Sequence, residues 1–162
     1  MQINLHKIAT IKSPFCDLKD MPVQPCGARE VLATIEFKEE YVEGLKDLDG
    51  FSHAYLIYYF HKIDTHQLSV IPFNDKTGTQ RGVFSTRTPM HPNSIGLSVV
   101  EIVDVVDNIV TIKGVDIVDG TPLLDIKPYI ENFDKIESEV KNGWMHASAD
   151  EVSNTRSDER FI

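Results

Sequence analysis

Apolar and polar residues alternate along several short stretches of the chain, which is the pattern of β-strands with one buried face. The alternation is clear in residues 31–37 and again in residues 97–106. Asp107 and Asn108 are residue types that form tight turns, and residues 109–113 are apolar again, which predicts a hairpin. Further strands are predicted at residues 4–12, 115–118 and 123–127.

Two stretches depart from this alternation. Residues 51–60 are apolar on both faces, which predicts a central strand or a strand whose outer face is covered by a partner chain. Residues 39–48 place apolar side chains three and four positions apart, which predicts a short amphipathic helix. Short strands without long helices between them are typical of mainly β proteins. We therefore expect a single antiparallel β-barrel domain with short helices.

Residues 81–96, with the sequence RGVFSTRTPMHPNSIG, begin as a strand and end as a polar loop. Pro89 and Pro92 remove two backbone hydrogen-bond donors from this loop and fix two φ angles. The polar side chains concentrated there are Arg87, Thr88, His91, Asn93 and Ser94. A stiff loop rich in donors suits a site for a polar ligand, and a proline-rich surface turn has the same composition. Both interpretations remain open on this loop alone.

Two further loops are predicted on either side of the central strand. Residues 13–27 contain three prolines and end in Gln24-Pro25-Cys26-Gly27, which combines a rigid turn with a glycine. Residues 64–80 are polar and end in Asn74-Asp75-Lys76-Thr77-Gly78-Thr79-Gln80. Each loop is expected either to cover a site or to be an ordinary irregular surface loop.

The length and composition of the chain fit one globular domain. With 162 residues, of which 41% are hydrophobic and 25% charged, the chain can form a single core. We expect the barrel to occupy residues 1–144 and residues 145–162, which have few apolar side chains, to form a flexible polar tail. No apolar run approaches the ~18 residues of a membrane span. The N-terminus also lacks the order of a signal peptide, so a cytoplasmic protein without a membrane partner is expected.

Several kinds of site are disfavoured by missing motifs. Cys16 and Cys26 form no CxxC pair and the histidines form no HExxH pattern, so we expect no metal site. The chain has no GxGxxG or GxxxxGK(S/T) phosphate loop, which argues against a Rossmann-type site. It also has no GxSxG motif, which argues against a serine hydrolase.

The net charge of −9 argues against a protein that grips nucleic acid over its whole surface. The acidic excess is concentrated, however. Residues 30–50 contain seven acids and two bases, and residues 131–162 contain eight acids and four bases. Because the rest of the chain is balanced, it leaves room for a local basic face and for weak, transient contact with RNA. That face would include Lys12, Lys62, Lys76, Arg81, Arg87 and Lys127.

Three motifs, in this order, resemble those of a known family. They are FSHAYLIYYFH at residues 51–61, RGVFSTRTPMHPNSIG at residues 81–96 and DIVDGTPLLDIKPY at residues 116–129. Together they resemble the S-adenosylmethionine-dependent tRNA methyltransferases called TsaA-like or TrmO-like, over most of residues 5–130. The resemblance implies a β-barrel that works as a homodimer. It also implies methylation of N6 in N6-threonylcarbamoyladenosine, beside the anticodon of tRNA.

The resemblance also implies which residues hold the methyl donor. Carried over position by position, they are Gln24, Pro25 and Cys26, His61 and Lys62, Arg87, Leu97, and Asp119, Gly120, Thr121 and Pro122. A guanidinium such as that of Arg87 can bind the donor's carboxylate through two parallel hydrogen bonds, which lysine cannot reproduce. From the residue alone, Arg87 is equally well explained by a salt bridge at a strand end.

The acceptor side of the site is less defined. Because the acceptor nitrogen belongs to a urea, a general base should assist its attack, and the candidates are His61, His91, Asp125 and Tyr129. Substrate contacts are expected from Arg81, His91, Asn93 and Lys127. The family usually has arginine and proline where this chain has His91 and Ser94. A methyltransferase for another acceptor and a non-catalytic module that binds the donor are therefore the alternatives.

Overall fold

In the computed structural model, residues 2–19 and 21–158 are described, and short antiparallel strands dominate. The strands are β1 (Ala9–Lys12), β2 (Leu32–Phe37), β3 (His53–Tyr59), β4 (Ser69–Val70), β5 (Arg81–Gly82), β6 (Ile95–Val106), β7 (Ile109–Lys113) and β8 (Thr121–Pro128). Two α-helices, α1 (Glu131–Asp134) and α2 (Ala149–Asn154), are short. Single 3-10 turns or slightly longer 3-10 helices lie at Pro25–Gly27, Glu39–Leu45, Leu48–Gly50 and Val83–Ser85.

Six of the strands close into a barrel in the order β1, β2, β7, β6, β3, β8, and β8 pairs with β1 again. Every pair is antiparallel. β4 and β5 form a separate two-stranded sheet. The predicted mainly β fold with one antiparallel barrel is confirmed, as are the hairpin of β6 and β7 and the central position of β3 between β6 and β8. Within the described residues, no helix combines the length and apolarity that a membrane span requires.

The barrel interior is filled by the side chains that alternation places on one face of each strand. Ile11, Ile35, Leu56, Ile112 and Leu123 have no exposed surface. Burial of a side chain of this size contributes about 1.5–3 kcal/mol relative to its exposed state. A second, smaller cluster lies under the loops, where Ile63, Val70, Val83 and Met90 pack together. This second cluster fixes the loops against the barrel.

Some elements differ from the sequence-based prediction. β1 begins at Ala9, not at residue 4, and the residues described before Ile8 are exposed. Residues 115–118 do not form the predicted strand; instead they run as an irregular segment across the end of the barrel. Val115 and Ile117 are buried there, and the Ile117 carbonyl accepts a hydrogen bond from the Ser13 hydroxyl. The predicted helix at residues 39–48 is instead two 3-10 segments, which separate where Asp47 adopts a positive φ of 65°.

The strand predicted from residue 81 ends after two residues. Gly82 is followed by a 3-10 turn, in which the hydroxyls of Ser85 and Thr86 donate to the carbonyls of Gly82 and Val83. These side-chain bonds compete with strand pairing and close the chain into a turn. The polar loop therefore starts earlier than predicted, and Arg87 lies in the loop.

Residues 145–158 of the predicted tail contact the rest of the chain. Helix α2 has a capping box in which Ser148 and Glu151 exchange hydrogen bonds, and it packs on the 3-10 turn at Pro25–Gly27. Lys76 forms an ion pair with Glu151 at 2.5 Å. The sequence did not predict this helix. Flexibility of the segment stays a prediction, and residues 159–162 lie outside the described residues.

Candidate active site

A cavity of about 810 Å³ opens at one end of the barrel. This is the end where β3 finishes and where β6 and β8 begin. Residues 13–27 and 64–80, for which the sequence leaves open a cover over a site or an ordinary surface loop, both contribute to the walls of this cavity. The C-terminal segment contributes to them as well. Apolar groups provide most of the wall surface, and they include the side chains of Met21, Phe60, Ile63, Phe73, Phe84, Val118 and Trp144. A mainly apolar cleft of this volume with a few polar groups is typical of a small-molecule site.

The floor of the cavity carries a chain of buried polar groups that starts inside the barrel. The Tyr58 hydroxyl lies 3.1 Å from Ser98 Oγ, and Ser98 Oγ donates to Asp116 Oδ1 at 3.0 Å. Since the single hydroxyl proton of Ser98 goes to Asp116, the Tyr58 hydroxyl must donate to Ser98. Burial raises the pKa of Tyr58 far above its usual value, so Tyr58 keeps its proton.

Asp116 is the carboxylate at the end of this chain. Burial raises the pKa of Asp116 to about 6, whereas the hydrogen bonds from Ser98 and from the Asp116 backbone amide and the positive charge of Arg87 act to lower it. Desolvation therefore outweighs these three favourable interactions. A carboxyl group with this pKa changes its charge close to neutral pH, and perturbed groups in clefts are candidates for function.

Gly96 makes room for the tyrosine of this chain. A Cβ atom at Gly96 would lie 2.1 Å from Cε2 and 2.4 Å from Cζ of Tyr58. Gly96 is directly opposite Tyr58 in the pairing of β3 with β6. Glycine is therefore required here because the Tyr58 ring approaches too closely for a Cβ atom, and not because the backbone adopts a positive φ.

His61 lies just beyond the end of β3. Its Nδ1 is 3.3 Å from Thr121 Oγ1, and the Thr121 hydroxyl donates to the Val118 carbonyl. Because the only hydroxyl proton is already used, Nδ1 of His61 must be the donor, which leaves Nε2 without a proton in the neutral ring. Burial, then the charges of Lys62 and Lys7, lower the pKa of His61 and favour this neutral form.

His91 and Arg87, from the loop before β6, also line the cavity. His91 Nε2 is 3.1 Å from the Thr86 carbonyl oxygen and therefore donates to it. The His91 and Phe84 rings form a T-shaped pair with centroids 5.8 Å apart. The Arg87 side chain is exposed to the cavity. Among the ion pairs of the described residues none includes Arg87, so the alternative of a strand-end salt bridge finds no partner there.

Many of the residues predicted for the donor lie at this cavity or directly beside it. Those that line it are Gln24, His61, Lys62, Arg87, Leu97 and Thr121. Pro25 and Cys26 continue from Gln24 into the adjacent 3-10 turn, and Cys26 borders a separate shallow depression. Asp119, Gly120 and Pro122 flank Thr121, and Asp119 Oδ1 accepts a hydrogen bond from the Ser13 amide at 3.1 Å.

Most of the residues predicted for catalysis or substrate binding lie elsewhere. Of these residues, only His61 and His91 line the cavity. Asp125 and Lys127 form an ion pair of 2.8 Å on the outside of β8, and the Tyr129 ring lies 5.9 Å from that of Tyr55. Roles for these residues stay predictions.

Arg81, in β5, and Asn93, in the turn before β6, both lie outside the cavity lining. Arg81 is bound to Asp75 at 2.7 Å and faces the Trp144 ring at 5.5 Å. Asn93 is exposed in the turn before β6. A substrate contact from either residue also stays a prediction.

The sequence did not single out Tyr58, Ser98 or Asp116 as site residues. Asp116 stands in the motif that also contains Asp119, but no pattern separates their environments. Ser98 shares a face of β6 with Val100, but only the structure shows that this face is directed into the barrel. Within the described residues, no group of three His, Cys, Asp or Glu side chains is arranged to hold a metal ion, and both cysteines are free.

Comparison with known proteins decides the family. Residues 10–135 match the model of the tRNA-methyltransferase O N-terminal domain. The chain belongs to this family. The resemblance that the three motifs indicate is therefore confirmed, and the tRNA-methyltransferase O domain covers the whole barrel apart from the first residue of β1.

The chain matches different fractions of the length of its relatives. A "Probable S-adenosyl-L-methionine-binding protein" of Pyrococcus abyssi is 44% identical over 162 residues, which is 100% of this chain and 86% of that protein. A "tRNA (adenine(37)-N6)-methyltransferase" of Mus musculus is 44% identical over 92 residues, 56% of this chain and 21% of that protein.

The solved structure of TrmO from Pseudomonas aeruginosa has the same fold. It superposes with a TM-score of 0.72 at 32% sequence identity, and the match covers 88% of this chain and 62% of that one. The chain thus spans less than two thirds of the TrmO structure and about a fifth of the mouse enzyme.

Proposed function

We propose that the chain binds S-adenosylmethionine in the cavity and transfers its methyl group to N6 of N6-threonylcarbamoyladenosine, next to the anticodon of tRNA. The observation that carries the proposal is the membership of residues 10–135 in the tRNA-methyltransferase O family. The names of relatives support the coarser activity, S-adenosylmethionine-dependent methylation of tRNA. The proposal places the chain in the cytoplasm, where it would meet tRNA.

The cavity suits this donor. A sulfonium leaves as a neutral thioether, so methyl transfer depends mainly on holding donor and acceptor in line. Arg87 is free to bind the donor's carboxylate, and the mostly apolar walls provide surface for its adenine. His61 and Thr121 supply additional polar contacts close to the barrel end.

The acceptor is tested by comparing two tRNAs that differ only in the threonylcarbamoyl group. With methyl-labelled donor, we expect label only in the tRNA that carries the group, and mass spectrometry of its nucleosides should place the methyl on N6. Because the net charge is −9, the chain can engage few phosphates and should bind tRNA weakly. Labelling should fall as the salt concentration rises, because salt weakens the phosphate contacts that do form. Equal labelling of both tRNAs, or labelling of neither by a chain that binds the donor, would reject this acceptor.

A methyltransferase with a different acceptor is the second candidate, and the loop before β6 favours it. Ser94 has a φ of 49°. Proline, which the resemblance implies at this position, has φ fixed near −65° and cannot adopt that conformation. His91, in place of the family's arginine, is held to the Thr86 carbonyl. The loop therefore differs in shape as well as in charge, and it borders the cavity.

We also propose that the chain works as a homodimer through the outer face of β3 and β6. Three pairs of outward side chains oppose each other directly there: Tyr55 with Val99, Ile57 with Leu97, and Tyr59 with Ile95. Tyr59, Ile95, Leu97 and Val99 are 41%, 40%, 51% and 40% exposed, which makes a contiguous apolar patch. Such patches are uncommon on monomers and mark interaction surfaces.

Light scattering at micromolar concentration measures this assembly. We expect twice the chain mass for the wild type and the mass of one chain for Val99→Lys, because a buried, unpaired ammonium at the centre of the patch is costly. Val103→Lys, at a 50% exposed residue farther along β6, is the control and should stay dimeric. A monomeric wild type would contradict the proposal.

A further inference from the structure

A carboxylate on the cavity floor has no role in the donor site proposed above. Asp116 borders the cavity, and its Oδ1 is held by the Ser98 hydroxyl, which is itself held by Tyr58. Ser98 and Tyr58 are each 4% exposed, so two buried hydroxyls fix the carboxylate from inside the barrel. None of the ion pairs between described residues includes Asp116.

We infer that Asp116 is the general base of the methyl transfer, an inference that rests on the proposed function. The lone pair of the acceptor N6 forms a bond to the methyl carbon, and the carbon–sulfur bond breaks with its electron pair left on sulfur. The N6–H proton passes to the Asp116 carboxylate. The products are the N6-methylated nucleoside, the neutral thioether and a protonated Asp116, which returns its proton to water.

The acceptor chemistry requires such a group. The N6 lone pair is delocalised into the carbonyl of the urea, and methylation without loss of the proton would give a strongly acidic cation. A base that takes the proton as the bond forms avoids that cation, and such assistance contributes about 10²- to 10⁴-fold in rate. The sulfonium does not need Asp116, since a carboxylate beside it would stabilise the charged donor more than the transition state, in which that charge is dispersed.

The electrostatics of Asp116 suit the role. With a pKa raised to about 6 by burial, Asp116 is mostly ionised at neutral pH and more basic than an ordinary carboxylate. The groups that face it are Ser98 on β6, Tyr58 on β3 and Arg87 in the loop before β6. Burial raises the pKa of Tyr58 so that it stays protonated, and of these two acids Asp116 is the one that titrates near neutral pH.

Two histidines also border the cavity and were candidates from the sequence. His61 is held through Nδ1 to Thr121, and His91 is held through Nε2 to the Thr86 carbonyl. Asp116 instead accepts its hydrogen bond from Ser98, whose side chain is buried inside the barrel. A different role for Asp116 is to pair with the donor's ammonium group while Arg87 binds its carboxylate. The experiment below separates the two roles.

The test compares Asp116→Asn with wild type in donor binding by calorimetry and in turnover on threonylcarbamoylated tRNA between pH 5 and pH 9. We expect unchanged donor affinity, kcat lower by about 10²-fold or more, and loss of the wild-type fall in kcat/KM below a pKa of about 6. Asp104→Asn, at an exposed residue of β6, is the matched control and should behave as wild type.

A second variant tests the same role without removing the carboxylate. The Ser98 hydrogen bond lowers the pKa of Asp116, so Ser98→Ala should keep measurable turnover and move the acidic limb of the profile to higher pH. A purely structural role for Asp116 would leave the position of that limb unchanged. Ser98→Ala differs from wild type by one oxygen and leaves the carboxylate of Asp116 in place.

Stability gives a readout that does not depend on activity. Because the folded-state pKa of Asp116 is above its unfolded value of about 3.9, ionisation costs stability as pH rises from about 4 through the folded value of about 6. Wild type should therefore lose stability relative to Asp116→Asn over this range. If the difference in stability between wild type and Asp116→Asn stayed the same over this pH range, the raised pKa and the inference would be overturned.

The outcomes are distinct. If the Asp116→Asn variant turned over as fast as wild type, the inference would be overturned and the proposed function would stand. A loss of donor affinity that accounts for the whole loss of turnover would replace the base with a contact to the donor's ammonium. A wild-type chain that binds the donor and methylates no tRNA would reject the proposed function, and the inference with it.

Discussion

Gly96→Ala is expected to lower the free energy of unfolding by about 3 kcal/mol, the upper end of the usual cost of overpacking. The added methyl group would lie 2.1 Å from Tyr58 Cε2. The Tyr58 ring cannot easily move away, because its hydroxyl is bound to Ser98 and its edge meets Phe60 at 5.3 Å. Thermal or chemical denaturation measures the effect.

Gly44→Ala is the matched control. A Cβ atom at Gly44 would meet no heavy atom within 4 Å, and the φ angle of Gly44 is not positive. The same chemical change is therefore expected to leave stability nearly unchanged or to raise it slightly. If both variants unfolded at the same denaturant concentration, the close approach of Gly96 and Tyr58 would not be a constraint on the fold.

Arg87→Ala is expected to weaken binding of S-adenosylmethionine by about 1.5–3 kcal/mol, the range for a hydrogen bond to a charged group. This corresponds to a roughly 10- to 150-fold higher dissociation constant. The Arg87 side chain is exposed on the cavity wall and forms no ion pair with the described residues. It can therefore bind the donor's carboxylate without first breaking a salt bridge. Arg87→Lys should recover only part of the loss, because lysine cannot make the bidentate contact.

Calorimetry with the donor measures this loss. Lys46→Ala removes the same charge from an exposed residue that does not border the cavity, and it controls for the change in overall charge. An unchanged dissociation constant in a folded Arg87→Ala variant would show that another group binds the carboxylate. No heat with wild type would count against the donor itself.

The sequence determined the architecture where the information is local. Alternation of apolar and polar residues identified β2, β6 and β7, and the Asp107-Asn108 turn fixed the hairpin, because strand faces and turn types depend on neighbouring residues. The motifs around Arg87 and Asp119 were enough to indicate the family. Local signals were weaker where hydroxyls close turns, as at Ser85 and Thr86, and those strand boundaries were predicted incorrectly.

Only the tertiary structure decided which face of β6 is directed into the barrel. Leu97 and Val99 are apolar and lie outside the barrel, whereas Gly96 and Ser98 face inward, because Tyr58 from β3 needs the space and the hydrogen bond. Periodicity alone cannot give this choice, since both faces of β6 are rich in apolar residues.

The assembly of the site was also beyond the sequence. Asp116 meets Ser98 only because the chain crosses the barrel end after β7, and Trp144 reaches the Ser85 carbonyl, 59 residues away, only when the C-terminal segment folds back. Contacts of this kind depend on barrel closure and on the packing of distant loops, which no local pattern encodes. The residue types of the site were visible in the sequence, but their partners, burial and pKa values were set by the fold.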